Sequence, residues 1–313
     1  MEGRAAALGA GTVLNALATG TGAAFGIDVE TRASVELDPD GPPGEVDGSI
    51  VEVPDAETTL IERCVALATE RWGDGEGGTV VTESDVPLAA GLKSSSAAAN
   101  ATVLATCAAL GLTVGDDPAN PDVDVTRLDA CRLGVRAARE AGVTVTGAFD
   151  DATASMLGGV CLTDNAHDEL RSREPVEWDV LVWTPPERAY SADADVDRCV
   201  SVAPMADLVA DLAADGRYVE AMSVNGLAFS AALGFDPEPA IEAMPDVAGV
   251  SLSGTGPSVV AVAEPGTPDH DLDAVAERWS DRPGTLRRTA TRNDGARVID
   301  DHAADTDTET TNL

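Results

Sequence analysis

A single lysine, Lys93, stands in the segment Pro87–Asn100 (PLAAGLKSSSAAAN), and every other basic residue of the chain is arginine. A glycine bend, the lysine and three serines lead directly into an alanine-rich stretch with helical character. Backbone N–H groups, hydroxyls, a cation and the positive end of a helix dipole together favour an anion such as phosphate. The segment therefore predicts an anion site at a helix N-terminus, and an ordinary serine-capped helix is the plainer alternative.

The length of 313 residues is enough for a full core and favours two domains over one. Strands and helices are mixed without strict βαβ alternation, so the predicted class is α+β. We expect an N-terminal domain over residues 1–165, a C-terminal domain over residues 166–300 and an acidic, disordered tail over residues 301–313. Helical spacing predicts helices near 58–72, 94–110, 126–141, 196–214, 217–233 and 272–282.

Acidic residues dominate the charge, because 55 Asp and Glu stand against 20 Lys and Arg, for a formal net charge of −35. This balance argues against a nucleic-acid partner, since phosphate backbones need a basic surface. A basic partner is one use for such acidity. We prefer solubility in concentrated salt, which screens the self-repulsion of the surface and agrees with the scarcity of lysine and aromatic residues.

The five cysteines are scattered without a C-x-x-C pair, which indicates reduced and mostly buried thiols in a cytoplasmic protein. No apolar run reaches transmembrane length, and the first residues lack the pattern of a secretory signal, so we expect no membrane partner. The three histidines lie in polar surroundings without metal-ligand spacing, and we assign them to the surface.

A second polar motif, residues 146–159 (TGAFDDATASMLGG), carries the adjacent carboxylates Asp150 and Asp151 at the start of a predicted helix. One of them can accept or orient the proton of a hydroxyl, because phosphoryl transfer needs mainly positioning and charge neutralisation. Glu140, eleven residues before Asp151, is a candidate metal ligand. The plainer alternatives are acids that favour a helix N-terminus and a solvated charge at a helix end.

Two further segments are rich in glycine. Residues 251–258 (SLSGTGPS) lie between apolar runs and form either a tight turn or a second loop against a ligand. Residues 9–28 are dense in Gly and Thr, which suggests a backbone that approaches another group closely. The polar candidates for substrate binding in this segment are Thr12, Asn15 and Asp28.

Taken in this order, the segments resemble the GHMP kinases, the superfamily of galactokinase, homoserine, mevalonate and phosphomevalonate kinases. That superfamily carries P-x-x-x-G-L-x-S-S-[AS]-A as its ATP loop, matched here by Pro87–Ala97. An acid-bearing segment before Gly158-Gly159 and a later G-x-G loop follow in the expected order. Within the superfamily, GAGTVLNALATGTGAAFGIDV, GLKSSSAAANA and TGAFDDATASMLGGVCLTDN are most similar to the archaeal shikimate kinases. The resemblance covers most of the chain up to about residue 265.

The resemblance implies an enzyme that transfers the γ-phosphate of ATP to the 3-hydroxyl of shikimate, with Mg²⁺, on the route to chorismate. It also implies a cleft for ATP between an N-terminal α/β domain with a left-handed βαβ element and a C-terminal ferredoxin-like domain. By position, Asp151 rather than Asp150 stands where the superfamily has its catalytic acid, and Ser95 and Glu140 would hold the metal. The implied ATP-binding residues are Pro87, Leu88, Ala89, Ala90, Gly91, Leu92, Lys93, Ser94, Ser95, Ser96 and Ala97, with Gly254, Thr255 and Gly256.

Two departures from the superfamily pattern concern positive charge. Lys93 replaces a glycine, and the N-terminal lysine of the mevalonate branch is missing, so Lys93 or an arginine would supply the charge beside the catalytic acid. The carboxylate of shikimate calls for a cation, and the candidates are Arg136, Arg139 and Arg188. Another kinase of the superfamily, acting on homoserine or a mevalonate derivative, and a non-catalytic binding protein stay open as alternatives. A monomer and a homodimer are equally compatible with the sequence.

Overall fold

Two large β-sheets and one two-stranded sheet, with helices packed on them, make up the protein. The structure is a computed structural model that describes residues 1–144, 147–189 and 194–299, so the expected tail over residues 301–313 lies outside the described residues. The strands are β1 (Glu2–Leu14), β2 (Thr21–Asp38), β3 (Val46–Ile50), β4 (Gly77–Ser84), β5 (Val114–Gly115), β6 (Val125–Thr126), β7 (Val160–Asp164), β8 (Glu169–Glu174), β9 (Asp179–Thr184), β10 (Gly249–Leu252), β11 (Val259–Ala263), β12 (Thr285–Ala290) and β13 (Arg297–Val298). The helices are α1 (Thr59–Trp72), α2 (Ser94–Ala109), α3 (Arg127–Glu140), α4 (Phe149–Leu157), α5 (Val196–Val200), α6 (Ala203–Ala214), α7 (Tyr218–Leu233), α8 (Glu238–Ala243) and α9 (Leu272–Ser280).

The first sheet is built around β2, which has 18 residues. It pairs with β1 along most of its length, with β7 over its first part and with β4 over its last part. The strand order is β13-β1-β2-β4-β3, and β8 extends the sheet beyond β7. Strands β3 and β4 are parallel, which requires the crossover that α1 provides.

Small side chains decide how α2 meets this sheet. The alanine-rich helix lies so close to β1 that a Cβ at Gly3 would come within 2.1 Å of the Ala105 carbonyl oxygen. Helices α1, α3 and α4 share the same core, which consists mainly of Ala, Val, Leu and Cys side chains. The Asn100 side chain of α2 donates to the Ala152 carbonyl oxygen of α4 at 2.9 Å. The N-terminal halves of α2 and α4 are therefore held close together.

The second sheet is antiparallel throughout, with the order β10-β11-β9-β12. One face is covered by α8 and α9 around the buried Trp279. The other face shares a core with α6, α7 and the first sheet. Within that core, Phe25 of β2 meets Trp178 edge to face, with 5.3 Å between ring centroids. A single apolar layer therefore connects the two sheets.

The segment over residues 291–299 returns from the second sheet to the first. β13 pairs with β1, and the Ile299 N–H donates to the Arg4 carbonyl oxygen at 2.8 Å. Arg297 forms a two-pronged contact with the buried carboxylate of Glu30 on β2. Both β8 and β13 thus belong to the first sheet, although they lie within the expected C-terminal domain over residues 166–300.

The predicted α+β class is confirmed, and the predicted helical regions contain helices. The region 196–214 holds two helices, because Pro204 has no N–H to continue the hydrogen bonding of α5 and instead lies in the first turn of α6. The short elements β8 and α8 were not predicted, since an exposed edge strand and a helix of six residues carry little periodic signal. None of the described helices has the length and apolar character needed to span a lipid bilayer.

Candidate active site

The start of α2 is open to a ligand. Lys93 precedes the helix in the left-handed conformation, with a φ of 66°, and its side chain does not cap the helix. The first turn contains no acidic residue, while the Ser95 hydroxyl is exposed and Ser94 and Ser96 are half-buried. The positive end of the helix dipole is therefore left for an anion, as the sequence predicts.

The glycine loop over residues 253–256 packs directly on the loop before α2. The Ser253 hydroxyl donates to the Gly91 carbonyl oxygen at 2.9 Å, and the Ser258 N–H donates to the Ala90 carbonyl oxygen at 3.2 Å. A Cβ at Gly91 would lie 2.2 Å from the Ser253 carbonyl oxygen, and the φ of Gly91 is +81°. Only glycine fits this contact. The lysine-bearing segment Pro87–Asn100 and the glycine-rich segment 251–258 therefore meet here.

The end of β1 holds the same glycine loop from the other side. The Gly254 N–H donates to the Thr12 hydroxyl at 2.8 Å, and the Asn15 side-chain amide donates to the Gly254 carbonyl oxygen at 2.8 Å. Asn225 of α7 accepts the Asn15 N–H at 2.9 Å and donates to the Ser251 hydroxyl at 2.9 Å. The buried Asn225 is a supporting residue that the sequence analysis missed, because a single Asn inside a helix carries no motif.

The two carboxylates of α4 face different partners. Asp151 lies with its Oδ1 2.8 Å from the Lys93 ammonium, whose side chain is only 4% exposed. The Lys93 Nζ also lies 2.7 Å from the position of a Cβ at Gly254, so the absence of a side chain there leaves room for the ammonium. Lys93, Asp151 and the glycine loop therefore meet at one point.

Asp150 is buried and is hydrogen-bonded to Asn165. Its Oδ1 accepts a hydrogen bond from the Asn165 side-chain amide at 2.7 Å, and its N–H donates to the Asn165 Oδ1 at 3.1 Å. Burial, and next the neighbouring charge of Asp151, raise the pKa of Asp150 to about 7. Asn165 was not predicted as a site residue. Its position directly after the strand that follows the Gly-Gly pair is the signal that could have identified it.

Two cavities border the loop before α2. A small pocket of about 40 Å³ contains Lys93, the only cation among its described lining residues. A larger groove of about 610 Å³ includes Pro87, Leu88 and Ala90 of the same loop. The pocket is lined by Thr12, Asn15, Ala16, Leu17, Lys93, Thr144, Ala148, Asp150, Asp151, Gly254 and Thr255. The groove is lined by Glu52, Val53, Ser84, Asp85, Val86, Pro87, Leu88, Ala90, Thr184, Pro185, Pro186, Glu187, Arg188, Gly284 and Thr285.

Ten predicted site residues do not line either cavity, and they comprise eight loop residues and two acids: Ala89, Gly91, Leu92, Ser94, Ser95, Ser96, Ala97 and Gly256, with Glu140 and Asp28. The Glu140 carboxylate is paired with Arg63 of α1 and with Arg136 one turn earlier, and these arginines lower the pKa of Glu140. Asp28 is exposed and accepts a hydrogen bond from Arg292 at 2.8 Å. For either residue to contact a ligand in the pocket, it would first have to leave these arginines.

The three candidate arginines for a substrate carboxylate are separated in the structure. Arg188 lines the groove, and Arg136 is bound to Glu140. Arg139 forms two hydrogen bonds of 2.6 Å with Asp168, and this pairing raises the pKa of Arg139. Its guanidinium also lies against Gly147, the residue before the pocket-lining Ala148.

Comparison with known proteins identifies the family of this chain. Residues 59–159 match the model of the GHMP kinases N terminal domain. A shikimate kinase of Halobacterium salinarum is 61% identical over 298 residues, which cover 95% of this chain and 100% of the relative. A shikimate kinase of Methanococcoides burtonii is 47% identical over 296 residues, which cover 94% of this chain and 97% of the relative.

Solved structures of other members show the same fold at low sequence identity. The homoserine kinase from Cytophaga hutchinsonii superposes with a TM-score of 0.71 at 16% identity, covering 95% of this chain and 97% of that one. The mevalonate kinase of Methanococcus jannaschii superposes with a TM-score of 0.67 at 12% identity, covering 94% and 98%. These neighbours establish the GHMP kinase fold, and the high identity to the curated relatives narrows the assignment. The chain therefore belongs to the archaeal shikimate kinase family of the GHMP kinases.

Proposed function

We propose that this protein is a shikimate kinase that transfers the γ-phosphate of ATP to the 3-hydroxyl of shikimate. The observation that carries the proposal is the contact between Lys93 and Asp151 at 2.8 Å, beside the open N-terminus of α2 and in the wall of the smaller pocket. A phosphoryl group held at the helix start would lie next to both side chains. The identity to shikimate kinases over nearly the whole chain supports shikimate as the acceptor.

The larger groove suits the nucleotide. Ala90 lines it, four residues before α2 begins at Ser94, so a nucleotide in the groove could extend its phosphates to the amides and hydroxyls of the first turn of that helix. Magnesium would bind together with these phosphates, and Ser95, which is exposed, could contribute its hydroxyl as a ligand. No group of three His, Cys, Asp or Glu side chains among the described residues forms a metal cage, which fits an ion held mainly by phosphate oxygens. When bound, the ion would neutralise phosphate charge.

The smaller pocket suits the acceptor. The hydroxyl oxygen of the acceptor would form the new bond to the γ-phosphorus as the bond between that phosphorus and the ADP oxygen breaks. The hydroxyl proton would pass to Asp151. Lys93 would orient the Asp151 carboxylate and would stabilise the negative charge on the transferred phosphoryl group. Thr12 and Asn15 line this pocket and present polar atoms to the acceptor.

The net charge and the cysteines of the chain suit a cell interior that is rich in salt and reducing. A net charge of −35 suits a cell interior rich in salt, where screening removes most of the self-repulsion. All five cysteines lie in the described part of the chain as buried free thiols, which suits a reducing cytoplasm.

Release of ADP, measured by a coupled assay in concentrated KCl, tests the proposal. We expect turnover with ATP, Mg²⁺ and shikimate and none with homoserine or mevalonate, together with a loss on the order of 100-fold or more in Asp151→Asn. Turnover with one of the other acceptors instead would assign a different kinase activity. If the protein binds nucleotide but forms no ADP with any of the acceptors, it would be a non-catalytic binding protein.

A further inference from the structure

We propose that Asn165 is a positioning residue for the reaction: its side-chain amide holds Asp150 at the start of α4 and thereby leaves Asp151 as the partner of Lys93. The inference rests on the proposed function, because it concerns the carboxylate that would accept the substrate proton. It assigns different roles to two acids that are adjacent and identical in the sequence.

The first observation is that α4 begins without a cap of its own. Ala148 occupies the position before the helix with a φ of 48° and has no polar side chain to accept a hydrogen bond from the first turn. The Asn165 Oδ1, which comes from the end of β7, accepts the Asp150 N–H at 3.1 Å and takes over this role. The direction in which α4 starts therefore depends on a residue outside the helix.

The second observation fixes the orientation of the Asn165 side chain. The Asp150 N–H can only donate, so the Asn165 atom facing it is the oxygen, which also accepts the Thr163 hydroxyl at 2.8 Å. The nitrogen then faces the Asp150 carboxylate, 2.7 Å from its Oδ1. The Asn165 N–H donates to the Gly20 carbonyl oxygen at 2.9 Å, and the residue is 1% exposed. Asn165 has little freedom to adopt another rotamer.

The third observation is that Asp150 fills its space completely. A Cβ at Gly22 of β2 would lie 2.5 Å from the Asp150 Oδ2, so only glycine leaves room for the carboxylate. Without the Asn165 amide, Asp150 would be a buried carboxylate lacking its main donor, and the positive charge that acts on it is that of Lys93. The two acids would then compete for one ammonium, and Asp151 would lose its fixed position.

The charged and titratable groups that face Asp150 come from several elements. Asp151 lies on the same helix, Lys93 comes from α2, and the Cys161 thiol comes from β7. Arg139 of α3 reaches the Asn165 carbonyl oxygen at 3.4 Å. Asn165 is the neutral group in this set that donates directly to Asp150, so its replacement by an acid changes the charge balance at that carboxylate.

Asn165→Asp tests the proposal, because it keeps the oxygen that caps α4 and replaces the donor with a carboxyl. At low pH the two acids share a proton and the hydrogen bond survives, whereas at high pH both ionise and repel each other. We expect kcat to lie within about 10-fold of the wild-type value at pH 6 and to fall to about 100-fold below it at pH 9, since small displacements of reacting groups have effects of that size. The KM for ATP should change less than about threefold, because Asn165 does not line the groove.

The double variant Asp150→Asn/Asn165→Asp is the decisive companion, because it restores one amide facing one carboxylate with the two exchanged. We expect it to regain a kcat within about 10-fold of the wild-type value and a pH profile of wild-type shape. Asn293→Asp is the matched control: Asn293 hydrogen-bonds both the N–H and the carbonyl oxygen of Val176, away from the carboxylates. Its pH profile should stay parallel to that of the wild type.

A profile of wild-type shape in Asn165→Asp would overturn the proposal, as would a double variant no more active than Asp150→Asn alone. The comparison of the double variant with Asp150→Asn can be made even if Asn165→Asp alone does not fold. Wild-type turnover is measured first, so that absence of shikimate phosphorylation counts against the proposed function. If the wild type phosphorylates another acceptor, the same variants tested with that acceptor still decide the role of Asn165.

Discussion

Lys93 and Asp151 form a nearly buried ion pair, with 2.8 Å between the ammonium nitrogen and the carboxylate Oδ1. The lysine comes from the left-handed residue that begins α2, and the aspartate comes from the first turn of α4. The pair therefore connects the helix start that we propose binds phosphate with the acid that we propose faces the acceptor. In this chain the anion loop itself supplies the cation that pairs with the acid.

Lys93→Met would remove this cation while keeping a side chain of similar length. We expect kcat to fall by about 100-fold, because a fixed positive charge beside the developing phosphoryl charge is lost. The half-buried Asp151 would also lose its partner, so the melting temperature should fall. The measurement is kcat at saturating ATP with a thermal melt of each variant. Arg71→Met, which removes an exposed cation stacked on Trp72, serves as the control, and a kcat for Lys93→Met as close to wild type as the control would contradict the role.

Gly254→Ala tests whether the glycine loop leaves room for the ammonium. The new Cβ would lie 2.7 Å from the Lys93 Nζ, at a residue with a φ of +58°. Displacement of the lysine by even 1 Å predicts a loss on the order of 100-fold in kcat. Gly266→Ala is a closely matched control, because its φ is +76° and no atom lies within 4 Å of the added Cβ.

The two alanine variants share the penalty for a left-handed residue and differ in the atoms that the methyl group meets. Both should lose stability, on the order of 1 kcal/mol, whereas only Gly254→Ala should lose activity. Equal kcat values for the two variants, measured well below their melting temperatures, would mean that the contact with Lys93 is not needed.

The sequence predicted the motifs of the candidate site but not which side chains would contact one another there. Gly91, Ser95 and Asp151 belong to local patterns with a clear physical meaning, such as a bend, a helix start and an acid in a first turn. Long-range partners have no local pattern. Asn165 and Asn225 became visible as supporting residues only when distant segments were brought into hydrogen-bond contact.

The same limit applies to Glu140 and Asp28, whose roles as metal ligand and substrate-binding residue stay predictions. Spacing along the chain suggested Glu140 as a metal ligand, but spacing says nothing about Arg63, which lies on another helix and binds that carboxylate. Asp28 was selected as a polar residue in a glycine-rich segment, and the structure shows it exposed beside Arg292. The fold class followed from element order, whereas β13 pairs with β1 from the far end of the chain, a contact that local periodicity does not encode.

Ser95→Ala and Glu140→Gln distinguish the two candidate magnesium ligands. We expect the Mg²⁺ concentration for half-maximal rate to rise about 10-fold in Ser95→Ala, because an exposed hydroxyl at the phosphate site is lost. Glu140→Gln should change it less than about twofold, since Glu140 is engaged by Arg63 and Arg136. The assay is a Mg²⁺ titration at fixed ATP and fixed ionic strength. A rise in Glu140→Gln equal to that in Ser95→Ala would mean that Glu140 leaves its arginines to bind the metal.

Asp150→Asn should change how stability depends on pH. The folded-state pKa of Asp150 is raised to about 7 from an ordinary value of 3.8, first by burial and then by the charge of Asp151. Between these two values the folded protein binds a proton that the unfolded chain has lost, so the free energy of unfolding falls as the pH rises. One proton corresponds to a slope of about 1.4 kcal/mol per pH unit. The stabilising contribution is therefore complete below about pH 4 and is lost once the pH has passed about 7.

The variant lacks this titrating group, so its stability should decline less steeply than that of the wild type between pH 5 and pH 7. The difference between their free energies of unfolding, measured by denaturant titration at one high salt concentration, isolates Asp150 because the other groups titrate in both proteins. We expect the variant to gain relative to the wild type by up to about 1.4 kcal/mol for each pH unit in this interval. Above about pH 8.5 the difference should become constant, because Asp150 is then almost fully ionised in both states. Parallel stability curves from pH 5 to pH 7 would mean that Asp150 titrates near its ordinary pKa in the folded protein.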